Sequence, residues 1–468
     1  MKASRTAIVT AAAAAMIVAT ASTAATTSVI AAPATADHAV VLVAGVNHGS
    51  GNSDSGNGTN NNNDNQSNKN KNKANQDHGG QAKNDNTKSS NGKNEANASG
   101  TGSKATNSNN KSNNNENDAT ASGGGEAKND SNGGTETGGF SSHNLNTAKA
   151  SGKNGNTPSR ATNTIKGSHN DSNATATGGG QATNTVNGDN NGSLHAEANG
   201  ANTVGSNDIT GSNNNTDSKA NGTNSNAQAH VVGDGNDIDT RANNGGTAIG
   251  TVQGFNGQPG KGNDNKLNVT GDNASASGIA QGDNNRVDVS ATNSNKLSVA
   301  IANGNGNKLN GVATGAGSSV GVAAAGDNNN LSATSKNSGT NGFANATAVG
   351  SRNTASADAS GTNSKAVSAI SGNDSKATSL ADGVGSSATS QVNTHDAEAK
   401  SEAHNGGTAT ATANRPNSYA FARAVGSNST VNSTTDATNA NNDGTVCSPG
   451  SHNTGSFGYT SGGGLVIC

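Results

Sequence analysis

The sequence predicts an all-β protein: an elongated β-solenoid, or β-roll, of about 11-residue units, preceded by a disordered low-complexity spacer. Three observations carry that prediction. A glycine-asparagine cluster returns at a nearly constant spacing, as in GDNNRVDVSATNSNKLSVAIANGNGNKLNG from Gly282. Between clusters, small apolar residues alternate with polar ones, the period of two that marks a strand with one buried face. The composition also forbids a core of bulky side chains, because only 28% of 468 residues are hydrophobic and 1% aromatic, with 65 glycines and no tryptophan. A formal net charge of -3 supplies neither the self-repulsion of many disordered chains nor a basic footprint for nucleic acid. Nucleic acid is therefore not expected as a partner.

From the N-terminus, residues 1–36 read as a secretory signal peptide. Lys2 and Arg5 precede an Ala-rich apolar run through Met16, Ile17 and Val18, and Ala34-Thr35-Ala36 supplies a small-residue cleavage site before Asp37. No later run reaches the roughly 20 apolar residues that a bilayer span requires, so no transmembrane segment is expected after signal removal. Residues 37–154, with runs such as NNNNDNQSNKNKNK, read as an Asn/Gly/Ser-rich flexible spacer with decayed repeats. Residues 155–436 hold roughly two dozen clearer units, broken by an insertion at GFNGQP before Gly260. Residues 437–468 read as a C-terminal cap. The two cysteines of the chain, Cys447 and Cys468, both lie there, together with Phe457, Tyr459, Leu465, Val466 and Ile467. In an exported protein that pair reads as one disulfide.

The unit is G-x-N-[NS]-x-A-x-[AVS]-x-[AV]-x, well seen in GTNSKAVSAIS from Gly361 and GNDSKATSLAD from Gly372. Gly with Asn or Asp at positions one to four is turn chemistry, since these residues tolerate positive φ and bond their own backbone. Positions six, eight and ten then point inward. They include Val287, Val289, Leu297, Val299, Ile301, Leu309, Val320, Val322 and Leu331, with Ala355, Ala357, Ala359, Ala366 and Ile370 in later units. The interior is mostly alanine and must be thin. Ordering a unit's backbone costs more than burying its alanine methyls returns, so a lone unit cannot fold. Stacking reverses the balance, because each coil completes the backbone ladder of the one below and lets like side chains, Asn above Asn, bond in register. Eleven residues are then one strand and one corner, and a coil with two such arms takes 22.

The pattern resembles two families of surface β-rolls. GNGNKLNG from Gly304 is similar to the G-x-G-N half-repeats of curlin subunits, and ATAVGSRNTASADASG from Ala346 to the A-x-G and S-x-A alternation in head repeats of trimeric autotransporter adhesins. Inward Ala and Val stand where curlin halves carry Gln and Ser ladders, and the stalk and membrane barrel of the adhesins have no counterpart. The resemblance implies an extracellular structural or adhesive role and no enzyme activity.

The residues themselves point the same way. No H-E-x-x-H motif or nucleophile elbow can be placed. His395 and His404 lack a third ligand nearby, and GDGNDID from Gly233, with Asp234 and Asp237, resembles one calcium-binding nonapeptide without the tandem copies such a site needs. Neither a cofactor nor a metal is expected. Position five is basic in several units, as Arg286, Lys296, Lys308, Lys365 and Lys376, and on a stack these form an outward ladder of cations. Such a ladder is either a contact for an acidic extracellular polymer or a solvated guard against side-by-side addition of coils. The expected function is that of a secreted or cell-surface structural repeat protein, an adhesin, stalk or fibre or matrix subunit, with itself or a surface polymer as partner. A disordered extracellular polymer and an ice-binding solenoid with ranked threonines are the rival readings.

Overall fold

The computed structural model describes residues 42–46, 59–65, most of 71–435 and the segments 442–447, 454–457 and 465–467, with side chains described between 72 and 433. The stretch read as a signal peptide lies outside the described residues. Every described element is a strand, and from Thr59–Asn65 onward consecutive strands alternate between two parallel sheets that face each other, Leu42–Val46 pairing with Thr59–Asn65 in the first of them. One sheet of 19 strands contains Gln81–Thr87, Lys104–Asn110, Glu126–Asn132 and their successors. The second contains Lys71–Gln76, Lys93–Ala98, Glu116–Ala121 and theirs. Asn199 and Asn221, 22 residues apart, lie one above the other. The fold is therefore a β-solenoid whose coil has two arms, as the eleven-residue count implied.

Corners close the arms with left-handed backbone. Asn202, Asn224, Asn363 and Asn405 adopt positive φ, and Gly304 has φ of 130°. A Cβ on Gly304 would lie 1.9 Å from the carbonyl oxygen of Gly282 in the coil below, so glycine stacks on glycine because nothing larger fits between successive corners. The extra residues around GFNGQP leave the ladder undisturbed. Asp237–Asn243 pairs in register with Lys266–Asp272, and Thr247–Gln253 with Ser275–Gln281.

The stretch read as a flexible spacer is different in the structure. From Lys71–Gln76 to Asn144–Ala150 it carries strands of the same two sheets, and the ladder runs past residue 154 through the pairing of Glu126–Asn132 with Arg160–Lys166. What replaces the missing apolar residues is asparagine pointing inward. Asn84, Asn107, Asn129, Asn163, Asn184 and Asn207 are buried in one column of the first sheet. Each amide Nδ2 donates to the Oδ1 of the next, at 2.8 to 3.0 Å. The same nitrogen also donates across the interior to a backbone carbonyl of the facing sheet, as from Asn107 to Asp118 and from Asn163 to Asn173. A second file in the facing sheet runs from Asn94 through Asn117 to Asn146. Counting Asn as polar made this region look aperiodic.

Beyond Asn207 the interior turns apolar, with Ile209, Val231, Ile238, Val252, Leu267, Val269, Val287, Leu309 and Leu331 buried. Here large residues on one sheet oppose very small ones on the other. A Cβ on Gly250 would fall 2.3 Å from Leu267 Cδ1, and one on Gly278 would fall 2.8 Å from both Val287 and Val289. That pairing explains a correction. Leu297, Val299 and Ile301, expected inside, point outward, and Ser298, Ala300 and Ala302 point in. Inward Leu, Val and Ile on this strand would meet Val287, Val289 and Leu309 of the facing sheet in an interior that is already full. The corner before it keeps the regular count, with Arg286, Leu297 and Lys308 11 residues apart and Leu297 paired with Ser319, so Leu297 takes the outward place that opens each strand and the parity of the whole strand follows. The other expected inward residues, from Val287 to Ile370, are buried. Towards the C-terminus the filling becomes alanine with serine, and Ser379 Oγ donates to the Thr389 carbonyl at 2.7 Å.

Two tests follow from this filling. Asn163→Ala should lower stability by about 3 kcal/mol, because it strands the amide groups above and below it. Thr216→Val should raise it by about 1 kcal/mol, because the buried Thr216 hydroxyl has no hydrogen-bond partner. Denaturant titration of the two variants measures both, and a neutral Asn163→Ala would contradict the ladder. Deleting residues 350–371, one coil, should barely move the denaturant midpoint. Deleting only 350–360 sends every later strand to the opposite sheet and should lower it several times more.

Candidate interaction faces

With the interior closed by small side chains, the chemistry of this protein lies on its outward columns, which rise by about 4.8 Å per coil. The two sheets present different surfaces. On the second sheet, between Ser193–Asn199 and Tyr419–Val425, half of the middle outward positions are titratable: His195, Glu197, Asp217, Lys219, Asp239 and Arg241 at one end, Lys400, Glu402 and Arg423 at the other, and Asp288 and Asp358 between them among uncharged residues such as Asn268, Val312 and Leu380. Charges there neutralise one another within a strand or between coils. Lys219 pairs with Asp217 at 2.5 Å, Arg241 with Asp239 at 3.0 Å, Lys400 with Glu402 at 2.8 Å, and Lys376 with Glu398 one coil on at 3.0 Å. Exposed pairs of this kind contribute little to stability. Their effect is to fix a surface of alternating sign.

The tightest polar cluster centres on His195. Its Nδ1 lies 3.2 Å from Asp217 Oδ2 in the coil above and its Nε2 lies 3.3 Å from Glu197 Oε2 beside it. The hydrogen bond to Asp217 holds the imidazole above its ordinary value, against the effect of burial. Burial pushes Asp217 and Glu197 up, but bonds from His195, Lys219 and Asn199 outweigh it and hold both carboxyls low. Asp239, half-buried, is pushed up by desolvation, which the neighbouring Arg241 offsets only in part.

The structure divides the expected basic ladder between the two sheets. Arg286 and Lys308 stack directly, and Lys376 lies further along the same sheet. Lys365 opens a strand of the other sheet, and Lys296 immediately precedes one. Consecutive units go to opposite faces, so a column read at 11 residues mixes two surfaces that a reading at 22 separates. The continuous run is instead Lys266, Arg286 and Lys308. Lys266 was missed because the insertion before it obscures the phase of its unit. Carboxylates flank this column, with Asp288 2.7 Å from Arg286 and Asp237 3.9 Å from Lys266.

Asp237 thus sits at a strand start beside a lysine, while Asp234 and His395 fall outside the described residues. His404 lies 3.7 Å from Glu402. Among the described residues no group of three or more His, Cys, Asp or Glu is placed to hold a metal ion, and no helix is long and apolar enough to cross a membrane. Cys447 ends strand Asn442–Cys447, whose side chains, like all of Cys468, lie outside what is described. Comparison with family models, with curated proteins and with solved structures returned no match.

The His195 cluster sets a pH dependence. A raised imidazole contributes stability that is fully present below its ordinary value of 6.5 and is lost as the pH rises through the raised value. The lowered carboxyls contribute stability that is present above their ordinary range and lost as the pH falls. Hydrogen exchange in Ser193–Asn199 and Asn215–Asn221 should therefore quicken, beyond its intrinsic rate, as the pH goes from 6 to 8, and His195→Gln should remove that excess. An unchanged profile in the variant would contradict the assignment.

Proposed function

We propose that the protein is a secreted or cell-surface structural repeat protein, an adhesin, stalk or fibre or matrix subunit, whose work is the display of side chains on a stacked β-surface. The observation that carries this reading is the ladder itself: from Lys71 to Ile467 the described strands belong to one repeating two-arm coil. Such a scaffold fixes the spacing of its outward groups without needing a cleft or a catalytic constellation, and it acts by geometry. The apolar N-terminal run with its Ala34-Thr35-Ala36 site supports export, and the outward Lys266, Arg286 and Lys308 column supports contact with an acidic extracellular polymer.

The disulfide belongs to the same reading. Gly444, Thr445 and Val446 pair with Leu465, Val466 and Ile467, and the next residue of each strand in sequence is Cys447 and Cys468. A bond there would tie the last coil to the one beneath it.

The regular pairing removes the reading as a wholly disordered polymer. An ice-binding surface is not favoured either. Thr162 with Thr164, Thr183 with Thr185, and Thr410 with Thr412 do stand in one face, but Gln228, His230, Ile249, Ile279, Val299 and Ile301 break the ranks between them.

Protein collected from outside the producing cells should begin near Asp37 and yield, without reductant, a peptide linking Cys447 to Cys468. N-terminal sequencing and mass mapping read both. Intact chain retained in the cytoplasm with residues 1–36 attached would overturn the proposal.

A further inference from the structure

The outer face of the first sheet changes character between Thr247–Gln253 and Lys365–Ser371. Six strands lie there side by side, in register. Their middle outward columns read Ile249, Ser277, Val299, Gly321, Asn345, Val367 and Thr251, Ile279, Ile301, Ala323, Thr347, Ala369. Of all outward residues on these strands only Lys365 is charged. The opposite sheet over the same coils carries Lys266, Asp272, Arg286, Asp288, Lys308, Lys336 and Asp358. Leu297, Ile301 and Val349 on the uncharged face are 46%, 39% and 51% exposed, three of the five exposed large hydrophobic residues described. The neighbouring strands on either side turn polar, with Gln228 and His230 before and Thr389 and Gln391 after. The patch is bounded.

We propose that this face pairs with the same face of a second copy of the chain, the two copies running antiparallel about a two-fold axis that lies between Leu297–Asn303 and Ser319–Ala325. Such an axis keeps each outward column on itself and exchanges the strands on its two sides. It lays Leu297 over Ser319, Val299 over Gly321 and Ile301 over Ala323, each large residue of one copy over a small one of the other. One strand further out, Phe343 meets Ser275. Beyond that Ile249 meets Val367. The interior of each copy is filled by the same rule of large against small, as at Gly250 and Leu267. Around Gly321 an added Cβ would meet nothing within 4 Å, so the notch under Val299 is open in the single chain.

The size is sufficient. Six strands about 4.8 Å apart and seven residues long give roughly 650 Å² per copy, or about 1,300 Å² in all, within the range of stable specific interfaces. An uncharged face meets its own copy without like-charge repulsion, which the opposite face cannot do without matching its ion pairs. An exposed apolar patch of several hundred Å² on a soluble chain marks an interaction site. This pairing deepens the structural reading above and rests on it, because a display scaffold gains a second charged face outward when two uncharged faces close on each other.

Sedimentation velocity of the full chain at micromolar concentration, with circular dichroism as the check on folding, tests the pairing. Gly321→Arg should weaken the dimer at least about 100-fold, the loss expected for a buried unpaired charge, and leave the β spectrum unchanged. Ser332→Arg, on the charged sheet, should leave the dimer intact. Val299→Gly and Gly321→Val should each weaken it, and the two together should restore it, because the exchange rebuilds large over small across the axis. A folded chain that stays single at tens of micromolar overturns the pairing while leaving display to be judged by export. A dimer that resists Gly321→Arg but falls to Ser332→Arg places the contact on the charged sheet and overturns it. A dimer that Gly321→Arg breaks but the double exchange does not restore overturns the two-fold arrangement.

Discussion

Everything in this molecule depends on the in-register parallel ladder between successive coils. Each strand's backbone donors and acceptors are satisfied by the strands one coil below and one coil above, so the coil cannot change its path without orphaning them. That requirement fixes the corners, where Gly282 and Gly304 approach too closely for any side chain. It also holds the distance between the two facing sheets nearly constant. The interior volume per coil is then a given, and the side chains must be chosen to fill it.

The chain meets that constraint in three ways along its length. In the N-terminal coils amide stands on amide, and one Asn nitrogen serves both the next Asn in its column and a carbonyl across the interior, as Asn107 does to Asn129 and Asp118. A polar interior is costly unless its members are bonded, and along the column from Asn84 to Asn207 each amide finds its acceptor in the coil that follows, whereas the second file ends at Asn146, whose Nδ2 has no partner. In the middle, a Leu or Val on one sheet is matched by Gly, Ala or Ser on the other, and Ser298 turns inward to donate to the Val289 carbonyl. In the last third the filling is alanine with serine hydroxyls donating across, as at Ser379 and Ser401. The backbone is common to all three, which is why a composition that looks too polar and too small still makes one continuous fold.

The fold class was legible because corner and strand chemistry both survive in the text: Gly and Asn where φ turns positive, and alternation between. Two things were hidden. Asparagine carries no apolar signal, so the stretch holding Asn84, Asn107 and Asn129 looked like a linker although its period, read on the asparagines themselves, matches the coil. Parity was also misjudged at Leu297, where the large side chains drew the reading to the wrong face although the 22-residue register makes Leu297 the outward residue that opens its strand. The facing strand decides that case, and a facing strand is invisible until the two arms are folded together. Of the basic residues read as one ladder, Arg286 and Lys308 share a stack, while Lys296 and Lys365 lie at the strand starts of the other sheet. Units that are near-identical in pattern occupy opposite surfaces.

This last point bears on how such a chain works. If only the fold mattered, the two arms of a coil would be interchangeable and their outward residues would share one composition. They do not. On one face the middle positions carry paired charges towards the two ends of the stretch from residue 193 to 425, such as Asp217 with Lys219, Asp239 with Arg241 and Lys400 with Glu402, while the other, outside Asp208 and His230, is neutral. Charges balanced locally keep a sheet face hydrated and resist stacking of further β-surface upon it. A neutral face with Leu297, Ile301 and Val349 exposed has no such protection. In the pairing proposed above, the asymmetry would direct association to one side of the solenoid and leave the charged side to solvent, so that contact between copies would end with the first partner instead of continuing layer upon layer.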